Sequence, residues 1–426
     1  MLTEPMLQRR HFLAAFGALA ASPSFAKLPV TRQYTAAQAL ADRYVTEKKL
    51  AGVSLALATG GAPASYVNAG TLAFDSNARA DENSLYRIYS MTKPITGAAV
   101  AMLVEGGKLS LDQPVSDFLP AFAKVQVAID PAKGLESRPA ARPMLIRHLL
   151  THTSGLTYVI SGRGPVQLAY AANGLTAAVG VPAPRARDTL KLPDSTLGAQ
   201  PASLQEFANR LATMPLIADP GTVWHYSVAL DLMGAVIEQA SGMAFDAFLK
   251  QRIFDPLDMH ATTFGNANRA RLTTNYGAAP QGLIPIDSAV NGDYLGAPPY
   301  PMGGSGLLSS ARDYFRFGDM LRGDGAIGRH RIMKAETARM IHSDIMPAGV
   351  RFTDGGGFGF AGRVVTADTR EPNDSLGSYG WGGAAGTQFW MDPVKGSVVV
   401  GMIQIMPSEV YPFRKELRTA LLSDAG

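Results

Sequence analysis

The chain of 426 residues contains no cysteine, so no disulfide is used in its fold. Charge is scarce too, at 17% of residues. With 39 lysines and arginines against 35 aspartates and glutamates, the formal charge is only +4 and the basic residues are scattered. That excludes the clustered positive surface a nucleic-acid partner needs. No internal repeat occurs, and past the first residues no apolar run is long enough to cross a membrane. Gly-x-Ser-x-Gly is also missing, which counts against the nucleophile elbow of an α/β-hydrolase fold. The stretch Pro301-Met302-Gly303-Gly304-Ser305-Gly306 is glycine-rich but lacks the lysine and spacing of a phosphate loop. His148 and His152 stand four apart with no third ligand placed, so they are read as structural and no metal centre is assigned.

What the chain does have is 46% hydrophobic residues and 44 glycines, the composition of a large compact core with many tight turns. Its start is of another kind. Gln8-Arg9-Arg10-His11-Phe12-Leu13, the apolar run Ala14 to Ala21 and the small residues of Ser24-Phe25-Ala26 read as a twin-arginine-like export signal over residues 1–26. Cleavage there leaves a domain over residues 27–426, periplasmic or extracellular, with no stable membrane insertion.

Thr35-Ala36-Ala37-Gln38 reads as a capping box before Leu40, Ala41, Tyr44 and Val45 on one helical face. Residues 52–58 and 64–68 flank Gly60-Gly61 as a hairpin, and residues 387–391 and 397–403 form a second near the far end. The middle, roughly 105–300, is largely helical, with 160–201 a loop or lid lacking any sustained period. The economical fold is α+β: one antiparallel sheet built from both ends, flanked by helices, plus a mostly helical lobe.

Chemistry concentrates at Ser90-Met91-Thr92-Lys93, followed by Ile95, Ala98, Ala99, Met102 and Leu103 at helical spacing. Ser90 therefore lies near the N-terminus of a helix with Lys93 one turn on, where a buried amine can help a hydroxyl lose its proton. Tyr226-Ser227-Val228 follows the turn Asp219-Pro220-Gly221, and a phenol within reach of a serine and an ammonium can accept the serine proton and return it. Adjacent side chains on such a segment diverge, so His225 and Tyr226 are not expected to serve one centre. Tyr379-Gly380-Trp381-Gly382-Gly383-Ala384 stands just before the strand at 387–391.

In type and order these segments resemble the penicillin-recognising serine hydrolases, the class C β-lactamases, serine DD-peptidases and, most closely, the family VIII carboxylesterases. The likeness covers most of residues 35–424 and implies the β-lactamase/transpeptidase-like fold. It also implies an acyl-serine enzyme acting on small-molecule esters or amides without metal or cofactor. By this resemblance Ser90 is the nucleophile, Lys93 and Tyr226 activate it, and the N–H groups of Ser90 and Ala384 form the oxyanion hole. Trp381, Gly382 and Gly383 stand where β-lactamases carry Lys-Thr-Gly. Trp381 is expected to line the acyl or alcohol pocket, the glycines to let an acyl group approach the backbone, and Tyr158 to line the pocket or join the core. Val228 replaces the family's asparagine. These two departures favour a carboxylesterase, while β-lactamase, DD-peptidase, acyltransferase and a silent ligand-binding relative remain alternatives.

Overall fold

The computed structural model describes residues 33–176, 197–352, 356–367 and 375–425. Residues 1–26, read above as an export signal, lie outside these, as does most of the second half of the stretch 160–201.

Helix α1, Thr35–Thr46, buries Ala37, Leu40, Ala41 and Tyr44 at helical spacing. The capping box expected at Thr35 does not form. Tyr34 occupies the N-cap without a side-chain bond, and the Asp424 carboxylate accepts instead from Ala36 N–H at 2.8 Å and Ala37 N–H at 3.0 Å. A negative group supplied by packing sits at the positive end of the helix. Strands β1, Gly52–Ala58, and β2, Ser65–Gly70, form the first hairpin. Helix α2, Thr92–Glu105, is buried from Thr92 to Leu103, so it has no solvent face and runs through the centre of the molecule. At Gly97 a Cβ would stand 2.4 Å from Phe360 O, a contact that only glycine admits.

The middle is helical with short strand pairs between its helices. Within the stretch read as a loop, Pro165–Ala172 is helix α3. Its signals were compact: proline at N1, Asn173-Gly174 at the end, and only two turns between. Val166 and Tyr170 lie in the core, and the Tyr170 hydroxyl donates to Pro215 O at 3.2 Å. Helix α4, Leu204–Ala212, is capped by Ser203, whose hydroxyl accepts from Glu206 N–H. Helices α5, Ala229–Ser241, and α6, Ala311–Arg322, follow, the latter capped by Ser310.

The far end returns to the sheet with β3, Gly357–Phe358, β4, Arg363–Val364, β5, Tyr379–Gly382, β6, Gln388–Asp392, and β7, Ser397–Met402, and closes with helix α7, Phe413–Ala425. The seven-stranded sheet has the order β3-β4-β5-β6-β7-β1-β2, antiparallel throughout. The two ends of the chain meet where β1 pairs with β7, from Ser54 opposite Met402 to Ala58 opposite Val398. Alternation then divides the strands. Val53, Leu55, Leu57 and Val399 pack with Leu40, Tyr44, Phe413 and Leu417 under α1 and α7, while Ala56, Val398, Val400 and Met402 join the main core with Tyr314 and Phe317 of α6. Because both faces are covered, β7 is buried at every residue and reads Val-Val-Val-Gly-Met after Ser397. The α+β arrangement expected from the sequence is the one observed.

Removing the carboxylate that caps α1 tests the join between the termini. Asp424→Ala should lower the unfolding free energy by about 1 kcal/mol in urea titration, the usual loss of an N-cap acceptor. An unchanged midpoint would show that the cap contributes nothing.

Candidate active site

Ser90 lies in a short 3₁₀ turn, Tyr89–Met91, that runs directly into α2. Tyr89 holds φ at +42°, a left-handed conformation unusual for a bulky residue, and so turns the chain sharply just before the hydroxyl. The Tyr314 hydroxyl pins the turn by donating to Met91 O at 2.7 Å. Lys93, on the first turn of α2, has no exposed surface. Its Nζ donates to Ser90 Oγ at 3.2 Å and to Gly304 O at 2.6 Å.

Tyr226 arrives from the segment before α5. Its Oη is 2.6 Å from Ser90 Oγ, and Lys93 Nζ sits over its ring, 4.6 Å from the centroid. The Trp381 indole N–H donates to the same Oη at 3.4 Å. The three residues quoted for the nucleophile and its base are therefore brought together, and Trp381 adjoins them. His225 points elsewhere, its Nε2 being 2.8 Å from Thr157 Oγ1. His148 Nδ1 accepts from Leu145 N–H, and His152 Nδ1 lies 3.2 Å from Ser227 Oγ. Burial and the Lys93 charge hold His152 neutral, well below the usual histidine range, and its ring packs 4.6 Å from that of Tyr226.

Tyr158 is expected to line the pocket or join the core, and it joins the core. Tyr158 is wholly buried, with its ring 5.5 Å from Tyr226 and its hydroxyl donating to Asp231 at 3.1 Å. It supports Tyr226 from behind and does not line an open pocket. The place a Cβ would take at Gly382 faces the Arg414 guanidinium, and at Gly383 it faces Ile88 O and Thr387 Oγ1. These glycines make room for the protein's own groups where an acyl chain was expected. Trp381 is more than an apolar wall, since its N–H is directed at Tyr226 while its ring packs 5.3 Å from Phe358 and 6.2 Å from Phe352.

Sequence reasoning missed Asp231. It is fully buried in α5, accepting from Gly304 N–H at 2.8 Å as well as from Tyr158. Gly304 thus receives the lysine on its carbonyl and offers its N–H to the aspartate, and a Cβ there would stand 2.7 Å from the carboxylate. Burial pushes the Asp231 carboxyl above its ordinary 3.8, against the pull of Lys93, Gly304 N–H and the Tyr158 hydroxyl. The available signal was one acid among Ala229, Leu230, Leu232, Met233, Val236 and Ile237.

The sequence matches the Beta-lactamase family over residues 37–423. The chain belongs to that family. Protein Rv1367c of Mycobacterium tuberculosis (strain ATCC 25618 / H37Rv) is 33% identical over 349 residues, covering 78% of this chain and 80% of its own length. Esterase EstB of Burkholderia gladioli is 31% identical over 337 residues, covering 75% and 77%. The solved structure of EstCE1, described as a hydrolase with promiscuous acyltransferase activity, superposes with a TM-score of 0.73 at 24% identity, covering 91% of this chain and 97% of that one. As expected from the motifs, the chain is a serine hydrolase of the β-lactamase fold.

Asp231 yields a test of the site's electrostatics. An acid whose pKa is raised on folding binds its proton more tightly in the folded state, so its contribution to stability declines as pH rises above 3.8. Asp231→Asn keeps an acceptor for Gly304 and carries no charge. Its unfolding free energy should gain on that of the wild type as pH rises above 3.8, while Ser90 reacts more slowly with a fluorophosphonate. Parallel stability curves for the two proteins would rule out a buried, ionising Asp231.

Proposed function

We propose that the protein is an exported carboxylesterase that cleaves small-molecule esters through an acyl-serine intermediate. The observation that carries this reading is Ser90 Oγ set 3.2 Å from Lys93 Nζ and 2.6 Å from Tyr226 Oη, with an indole where the β-lactamases carry a lysine. The likeness to EstB, an esterase by name, supports it. The arginine pair, apolar run and small residues within residues 1–26 support export to the periplasm or beyond.

In this reading Tyr226 works as the phenolate, and Ser90 Oγ attacks the ester carbonyl carbon as its proton passes to Tyr226 Oη. Lys93 and the Trp381 N–H favour that phenolate by placing a cation and a donor beside it. The carbonyl oxygen, now an oxyanion, is received by the N–H groups of Ser90 and Ala384. On collapse the C–O bond to the alcohol breaks, Tyr226 returns the proton to the alkoxide, and the alcohol leaves. Water then repeats the sequence against the acyl-serine, giving the acid and restoring Ser90. An alcohol in place of water would give acyl transfer, a second outcome favoured by the EstCE1 description. Added 1-butanol separates the two through the ratio of butyl ester to free acid.

A fluorophosphonate should add once, on the peptide containing Ser90, and Ser90→Ala should abolish both adduct and turnover. Tyr226→Phe and Lys93→Ala should each lower kcat by about a hundredfold or more, and His225→Ala should change it little. Labelling that survives in Ser90→Ala, or an indispensable His225, would place the chemistry elsewhere.

Substrate choice follows from charge. A β-lactam must bury a carboxylate, and Trp381 and Val228 offer it no cation and no amide donor, a deficit of several kcal/mol. A neutral short-chain ester has no such requirement. The kcat/KM for p-nitrophenyl butyrate should exceed that for nitrocefin by about a hundredfold or more, equivalent to about 2.7 kcal/mol. Equal efficiency, or a preference for nitrocefin, would restore β-lactamase as the function.

A further inference from the structure

Strands β5 and β6 are joined by a tight turn through Ala384 and Ala385. Gly383 N–H donates to Thr387 O at 2.8 Å, and Gly386 N–H donates to Gly383 O at 3.1 Å. Arg414, from the first turn of α7, reaches beneath this turn. Its Nη2 donates to Gly383 O at 2.5 Å and to Thr387 O at 3.0 Å. The guanidinium lies against Gly382, where a Cβ would stand 2.8 Å from Nη2. On the opposite side Thr387 Oγ1 donates to Ile88 O at 3.3 Å, and a Cβ on Gly383 would stand 2.3 Å from that same oxygen. The turn is thus held between the C-terminal helix and the chain two residues before Ser90.

Gly383 C=O and Ala384 N–H belong to one peptide group. In a trans peptide the two bonds point in opposite directions, so tying the carbonyl to Arg414 aims the N–H away from α7. A bond accepted at the carbonyl also polarises the amide and makes its N–H a stronger donor, more so when the partner is a cation. Arg414 Nε has no partner among the described residues, and burial lowers the pKa of the group. The poorly solvated charge therefore acts on these two carbonyls at low screening.

We propose that Arg414 is a positioning residue for the reaction at Ser90: through Gly383 O it orients and polarises the peptide whose Ala384 N–H receives the oxyanion. The inference rests on the esterase reading above for its substrate. It touches no reacting atom itself, so it should act on the transition state and leave ground-state binding alone.

The test compares Arg414→Gln, Arg414→Lys and Arg414→Ala with the wild type in p-nitrophenyl butyrate hydrolysis and in the rate of fluorophosphonate addition to Ser90. In Arg414→Gln, kcat should fall by about tenfold or more with KM within about twofold, and labelling should slow by a similar factor. Arg414→Lys, with a charge but no fork, should fall between, and ethylguanidinium should restore part of the activity of Arg414→Ala. A folded Arg414→Gln with unaltered kcat and labelling rate would overturn the proposal. So would losses in every variant that track a lowered thermal midpoint, with no rescue by ethylguanidinium. Should the wild type label at Ser90 yet hydrolyse no ester, the esterase reading has failed, and the labelling rates still decide the role of Arg414.

Discussion

A lysine ammonium with no exposed surface must find inside the protein what water would otherwise supply, and the site is arranged to meet that demand around Lys93. Removing an ammonium from water costs several kcal/mol unless hydrogen bonds and opposing charge replace the solvent. Gly304 O, Ser90 Oγ and the face of the Tyr226 ring surround the nitrogen, and Asp231 contributes its negative charge from behind the Gly304 peptide. On the proposed reading each compensating group is also a working part or holds one. The need to satisfy the cation therefore places the nucleophile, the base and the glycine loop at once.

That demand explains the glycines at 303 and 304 better than any loop signal does. Thr96 Oγ1 donates to Gly303 O at 2.7 Å, and a Cβ on Gly303 would lie 2.4 Å from Leu230 O. With a Cβ on Gly304 only 2.7 Å from Asp231, the loop threads between α2 and α5 where no side chain fits. The Lys93 acceptor is thereby fixed by two helices that are themselves buried, so its position is set by core packing and not by a mobile loop.

Local chemistry was legible in the sequence; chemistry arising from tertiary contact was not. Ser90, Lys93 and Tyr226 sit in short ordered motifs whose residue types state their task. The hairpins at each end were legible through their apolar strands and the turn residues between them. The cap of α1 was misread because its acceptor comes from Asp424, a residue no local window contains. Helix α3 was overlooked because a two-turn helix carries too few positions to display a period. Asp231 and Arg414 escaped for the same physical reason. An acid in an apolar helix and an arginine in an amphipathic one look ordinary until the fold shows the peptide each of them holds.

Trp381, standing where β-lactamases carry a lysine, shows how one substitution redistributes roles within a common frame. A lysine there would bring a second cation to the mouth of the site, free to attract an anionic substrate. Trp381 brings a donor without a charge, and it is directed at Tyr226 Oη. Lys93 then supplies the positive charge beside the base, and the indole adds a hydrogen bond that favours the phenolate over the phenol. On the proposed reading this turns the residue from substrate capture to support of the base. The same exchange leaves the substrate side apolar, with Phe352 and Phe358 packed against the indole. A neutral ester needs no more from that wall than dispersion and the exclusion of water. Discrimination against an anion follows from the missing cation, without any group that repels it.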